Sequence, residues 1–218
     1  MTRNLKALGL TLVAVFAMSA IVASAASANE FHSNVEKTTL TGKVTENHRF
    51  TYETGGPAVE CTTATFSGSP TVKTTTAINS TPVYSGCTVP SVFNAPAHVK
   101  FGTCFYQFTI NAAENKGPAH LVCPSGTVQI EVTIPLLADC TYSIGPQTPA
   151  GTTDYANEGS TPTRSVIVQP TQTGISSSYI GNSLCGAATT STTGTYIGKA
   201  TVSGDKTVGG GQADVWVE

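Results

Sequence analysis

Thr127-Val128-Gln129-Ile130-Glu131-Val132-Thr133-Ile134 alternates without a break. Val128, Ile130, Val132 and Ile134 fall on one face, and Thr127, Gln129, Glu131 and Thr133 on the other. That period of two puts one face on a core and the other in water. Pro135 ends the run, because proline has no N–H for the ladder. Cys104-Phe105-Tyr106-Gln107-Phe108-Thr109-Ile110 has the same form, with Cys104, Tyr106, Phe108 and Ile110 on one face. Residues 111–118 between the two carry Asn115, Gly117 and Pro118, a turn signal, so a hairpin or short meander is predicted over 101–134.

Outward from this pair, strands are predicted at 39–44, 49–53, 59–66, 71–76, 98–101, 140–144, 164–169, 195–203 and 213–217. Turn-like groups such as Gly55-Gly56-Pro57 and Ser203-Gly204-Asp205 separate them. Short strands every ~10 residues predict an all-β fold, a disulfide-stapled antiparallel β-sandwich, with a barrel or two small β sub-domains as alternatives. Residues 147–163 and 186–194 are poor in large apolar side chains and read as long loops. The first is a possible sub-domain boundary near 145–160 within a domain spanning 29–218.

The only helix-like run is N-terminal. Arg3 and Lys6 precede an uncharged apolar stretch, 7–22, which passes into Ala26-Ser27-Ala28. A basic start, an apolar middle and a small-x-small end predict a signal peptide over 1–28 and a secreted, extracellular product. No later apolar run reaches the ~18 residues of a spanning helix, so no membrane span is expected after cleavage. Cleavage takes Arg3 and Lys6 from the 11 basic side chains, leaving nine against 13 acidic ones. A mildly acidic chain with scattered Lys and Arg does not suit nucleic acid, which demands clustered cations. Charged residues make up only 11% of the chain, well under the roughly 25% usual for soluble domains. Thr, Ser and Gly fill the deficit, and Thr suits a pleated, solvated face.

Cys61, Cys87, Cys104, Cys123, Cys140 and Cys185 all follow the export signal. No two lie closer than 17 residues, so the short-range pairs of zinc sites and redox dithiols are missing, and structural disulfides are expected. Six cysteines allow 15 pairings. The expected scheme is nearest-neighbour: Cys61–Cys87, Cys104–Cys123 and Cys140–Cys185.

No catalytic signature stands out. His32, His48, His98 and His120 are widely spaced, and Gly174-Ile175-Ser176-Ser177-Ser178 lacks the second glycine of a nucleophile elbow. Glu131 lies on a solvated strand face, and Asp154, Asn157 and Glu158 have no recognised calcium-loop spacing. No catalytic residue, metal or cofactor is therefore assigned. Trp216, the only tryptophan, alternates with Val215 and Val217; exposed, it is a candidate binding surface for a sugar or protein, and covered, it closes the end of the fold.

Val59-Glu60-Cys61, Tyr84-Ser85-Gly86-Cys87, Cys104-Phe105-Tyr106, Cys140-Thr141-Tyr142 and Thr195-Tyr196-Ile197-Gly198, behind a signal peptide, resemble uncharacterised secreted actinobacterial β-proteins. The resemblance implies an exported β-protein with three disulfides and brings no established activity, so no functional residue is carried over. The expected function is non-enzymatic binding of an extracellular glycan, polymer or protein. A secreted hydrolase with a loop-assembled site and a small-molecule carrier with an internal apolar cavity are the alternatives.

Overall fold

In the computed structural model of the protein, which describes residues 29–181 and 190–218, the 128–134 alternation is realised as a strand with Val128, Ile130, Val132 and Ile134 buried. The described residues form sixteen strands and no helix. They are β1 (Phe31–Ser33), β2 (Thr38–Thr51), β3 (Ala58–Gly68), β4 (Thr74–Thr75), β5 (Ala77–Val89), β6 (Ala95–Lys100), β7 (Phe105–Thr109) and β8 (Lys116–Gly117). There follow β9 (Ala119–Val122), β10 (Val128–Ile134), β11 (Ala138–Ile144), β12 (Ala150–Glu158), β13 (Ser165–Ile180), β14 (Thr190–Lys206), β15 (Gln212–Ala213) and β16 (Val215–Val217). The expected signal peptide lies outside the described residues.

The fold is all-β and antiparallel. Its main ladder returns to its start: β14 pairs with β2, then β3, β5, β6, β10, β11 and β13 follow in chain order, and β13 pairs with β14. This closed, up-and-down ring is the barrel among the expected architectures, and closure removes the exposed edges of an open sheet. Most inward positions are apolar, with His48, Thr153, Gln172 and Ser177 as buried polar exceptions, whereas outward ones such as Gln129, Thr133, Thr171, Thr173 and Asp205 are polar and exposed.

Two strands change partners along their length. β5 pairs with β7 at Ala77–Ser80 and with β6 at Cys87–Val89. β13 pairs with β12 over Ser165–Glu158 to Thr173–Ala150, and with β11 only at Ser178–Ile180. Five strands (β13, β14, β2, β3, β5) therefore run the length of the barrel, while β6, β10 and β11 complete the wall at one end. At the other end β7, β8 and β12 do so, tied by Asn111 N–H to Lys116 O (2.7 Å) and Tyr155 N–H to Asn115 O (2.9 Å). A three-stranded sheet, β16-β1-β4, caps this second end.

The wall also changes face midway. Cys61 and Ala64 on β3 are both buried, as are Pro82 and Cys87 on β5, although an odd separation should put them on opposite faces. The slip falls at Thr62 and Gly86. Gly86 has φ +60°, and a Cβ there would sit 2.5 Å from Thr62 Oγ1, so only glycine fits.

Several sequence expectations are corrected. The 104–110 segment, as β7, pairs with β5 and β9 and not with β10, so the 101–134 meander does not form. The 147–163 stretch, read as a loop, contains β12, a nine-residue partner of β13. β5 was not anticipated, because Pro82 and Gly86 interrupt its pattern. Of 71–76 only Thr74–Thr75 is strand, and 39–44 and 49–53 are one strand, β2, with a register shift between Lys43 and His48.

Disulfides join Cys61 to Cys87 and Cys104 to Cys123. The first pair are direct cross-strand neighbours with Cα atoms 3.9 Å apart; the second flank β7 and β9 with Cα atoms 4.1 Å apart. Cys140 is buried and also disulfide-bonded, while its expected partner, Cys185, lies outside the described residues.

Candidate functional site

The change of strand partners leaves two apolar cavities along the barrel. One, of about 80 Å³, lies toward the capped end between Phe31, Leu40, Phe66, Tyr155, Val166 and Trp216. The other, of about 70 Å³, lies toward the disulfides between Phe50, Val59, Phe101, Leu121, Ile130 and Ile175. Each is several times the roughly 10–15 Å³ one water needs. His48, Phe108 and Tyr196 line both.

The partition between the cavities is a polar layer assembled from four strands. His48 Nδ1 lies 2.6 Å from the Tyr196 hydroxyl, which is 2.7 Å from that of Tyr84, itself 3.5 Å from that of Tyr106. β2 presents His48, β5 Tyr84, β7 Tyr106 and β14 Tyr196. The imidazole is also wedged against Phe66, with centroids 5.2 Å apart, and lies on the bare backbone of Gly198.

Burial sets the charge state of this layer. It lowers His48 from 6.5 to about 4, with the backbone of Lys199 partly opposing, because an imidazolium here would lose its water. Burial likewise raises Tyr106 to about 12 and pushes Tyr84 and Tyr196 well up. At neutral pH all four groups are uncharged. The order Tyr106→Tyr84→Tyr196→His48 Nδ1 gives every hydroxyl proton an acceptor and puts the imidazole proton on Nε2. The reverse order strands the Tyr106 proton and an Nε2 lone pair, so the first is favoured. His48 Nε2 has no protein partner, and His48 is only 3% exposed.

Trp216 belongs to the cap. It is half-buried, stacked on His32 (5.1 Å, 11° between planes), with the Arg164 guanidinium 4.0 Å from its ring centroid. Arg164 in turn makes bidentate contacts to Asp214, Nη2 to Oδ2 at 2.8 Å and Nε to Oδ1 at 3.1 Å. Asp214 is 2% exposed, and this Arg164 contact holds its carboxyl below the ordinary value. The Trp216 Nε1–H is buried without a partner and the side chain lines the cap-side cavity.

The remaining sequence candidates do not converge. Glu131 is 2.6 Å from Lys100 on the neighbouring strand. Asp154 faces Lys116 at 3.6 Å, Asn157 bonds both the N–H and the C=O of Val217, and Glu158 meets Thr201. His98 is exposed, and His120 is 2.7 Å from Thr148 Oγ1. Among the described residues no three His, Cys, Asp or Glu side chains group to hold a metal. Sequence reasoning missed the Tyr–His layer. Tyr106 was legible as an inward strand residue and Tyr196 as a strand residue, but nothing in their spacing joins them to residues 48 and 84. No family model matches the chain, and no match is found among curated proteins or solved structures.

Proposed function

We propose that the protein is an exported, non-enzymatic carrier that holds a small apolar molecule inside its barrel. The observation that carries this reading is the pair of apolar cavities in a wall whose outer face is polar except at Val83, Ile180 and Ile197. Apolar concavities with few, placed polar groups are the usual form of small-molecule sites. A polar exterior around an apolar interior is the inverse of a membrane-spanning barrel, which supports a released protein. Disulfides, which persist in oxidising compartments, support export. Binding of an apolar fluorescent probe such as 1,8-ANS to the native protein, with displacement by small hydrocarbons, tests the reading; a native protein that takes up neither overturns it.

A second reading, docking to an extracellular protein, draws on the uncapped end. Phe93 (87% exposed) and Leu136 (fully exposed) stand at the tips of neighbouring turns there, both at positive φ. Bulky residues rarely adopt that conformation or that exposure together. Cross-linking of the secreted protein on its native cell surface, compared with a Phe93→Ser/Leu136→Ser variant, tests it: identical adducts from both remove the reading.

A further inference from the structure

Two prolines decide how the wall is closed where β11, β12 and β13 meet. β13 is paired with β12 as far as Thr173 and with β11 from Ser178, so residues 174–177 have no strand on that side among the described residues. The segment that passes the gap is Gly145-Pro146-Gln147-Thr148-Pro149. Neither proline has an N–H to offer a ladder, so this stretch cannot add the missing strand. Gln147 bridges the gap instead. Its backbone exchanges both hydrogen bonds with Leu121 of β9, at 2.8 and 3.0 Å. Its side-chain amide stands in for a peptide group toward β13: Oε1 accepts from Ser176 N–H at 2.8 Å, and Nε2 donates to Ser176 O at 2.9 Å. Nε2 also reaches Gly145 O at 3.2 Å.

This joint lies over the disulfide-side cavity, whose lining includes Leu121, Gln147, Pro149 and Ile175. Ser176 is exposed and Gln147 half-buried, so the wall here is one side chain thick. Opening it breaks the hydrogen bonds of that one side chain. Opening the wall between β10 and β11 instead breaks a ladder of seven register pairs. At the other fork, where β5 passes from β7 to β6, buried Phe101 fills the space, packed on Tyr84 and Tyr106 with centroids 5.8 and 5.1 Å apart. β13 is also irregular beside Gln147: Gly174 has φ +68°, and the register against β14 shifts on both sides of Ile175. Bulges disrupt a ladder locally, so the strand is weakly held at this point. We propose that this joint is the port of the disulfide-side chamber and that the Gln147 side chain is its latch. A small apolar molecule enters and leaves when the amide swings off Ser176. The inference rests on the carrier reading and adds the route its cargo takes.

The experiment follows xenon, which occupies dry apolar cavities, by methyl NMR of the folded protein. Ile130 and Ile144 report on the disulfide-side chamber, Leu40 and Val166 on the cap-side one. In Gln147→Ala, xenon exchange at Ile130 and Ile144 is expected to quicken by about ten- to hundredfold, the worth of two or three hydrogen bonds lost from the closed state. On- and off-rates rise together, so xenon affinity holds, and exchange at Leu40 and Val166 keeps its wild-type rate. Gln147→Glu keeps an acceptor for Ser176 N–H but sets a carboxylate oxygen against Ser176 O. Its exchange is fast at pH 7 and returns toward the wild-type rate below about pH 4, where the protonated carboxyl donates again. A merely structural role does not produce that reversal. Exchange at Ile130 and Ile144 that is unchanged in Gln147→Ala, or that quickens equally at Leu40 and Val166, overturns the port and leaves the carrier reading standing. If no methyl responds to xenon, the chambers do not admit apolar molecules, and the carrier reading falls with the port.

Discussion

Gly198→Ala isolates the packing that holds His48 in the partition. A Cβ at position 198 would stand 2.4 Å from His48 Nδ1, 2.6 Å from Cε1 and 2.7 Å from Cγ, all inside contact distance. The glycine has no positive φ, so alanine is compatible with the backbone and the whole penalty is steric. The ring has little room to retreat, with Phe66 at 5.2 Å, Tyr84 at 5.8 Å and Tyr196 at 5.7 Å between centroids. Overpacking of this kind destabilises by about 1–3 kcal/mol. Moving the imidazole also breaks the 2.6 Å contact to Tyr196 and orphans a buried phenol, which adds roughly 1–3 kcal/mol. A total near 4 kcal/mol lowers the melting temperature by about 8–16 °C for a domain of this size. In a His48→Ala background the obstructing ring is gone, and the same methyl enters empty space at a cost under about 1 kcal/mol. Urea unfolding of the wild type, both single variants and the double variant therefore yields a coupling of about 3 kcal/mol. Equal costs of Gly198→Ala in the two backgrounds would refute the reasoning, since the penalty would then not come from His48.

Three further outcomes are expected. Because burial holds His48 near 4 against 6.5 for a free histidine, the unfolded chain binds the extra proton between those values. The neutral ring's contribution is complete above about pH 6.5, declines by about 3 kcal/mol as pH falls to about 4, and is flat below; the difference in stability between wild type and His48→Phe across pH 3–8 measures it, and a pH-independent difference contradicts it. Replacing Cys104 and Cys123 by serine opens a loop of 19 residues and destabilises by about 3 kcal/mol on the loop-entropy scale, read as a lower urea midpoint; an unchanged midpoint shows that the bridge does not restrain the unfolded chain. Asp214→Ala leaves the Arg164 guanidinium without its bidentate partner over Trp216 and, because Arg164 stays partly solvated, destabilises by about 1.5–3 kcal/mol. Tryptophan emission, which reports on the cap, changes with it, and an unaltered spectrum at native stability would show that the pair does not hold the cap.

Much of the fold was legible because period-two alternation is a local signal. β10 and β11 could be read because their inward side chains alternate regularly. β12 could not, because only Thr153 and Tyr155 of its nine residues point inward, and it is a strand through its pairing with β13. β5 hid behind Pro82 and Gly86, residues that usually end strands; Pro82 is buried opposite Phe66, and Gly86 marks the face change. Two disulfides follow nearest-neighbour order because the chain runs up and down, so successive cysteines sit on successive strands.

The candidate site was much less legible. His48, Tyr84, Tyr106 and Tyr196 span 148 residues of chain; Tyr106 and Tyr196 fall in predicted strands, whereas His48 lies between two of them and Tyr84 in the unanticipated β5. The sequence by itself determined the all-β class and the inward faces of regular strands such as β10 and β11, since alternation depends on neighbours a few positions away. The tertiary structure alone decided what those inward faces meet. Alternation states that a side chain points into a core, but whether that core is filled or hollow depends on how the ladder closes. Here β5 and β13 change partners, the barrel forks into two chambers, and four distant polar groups meet at the fork.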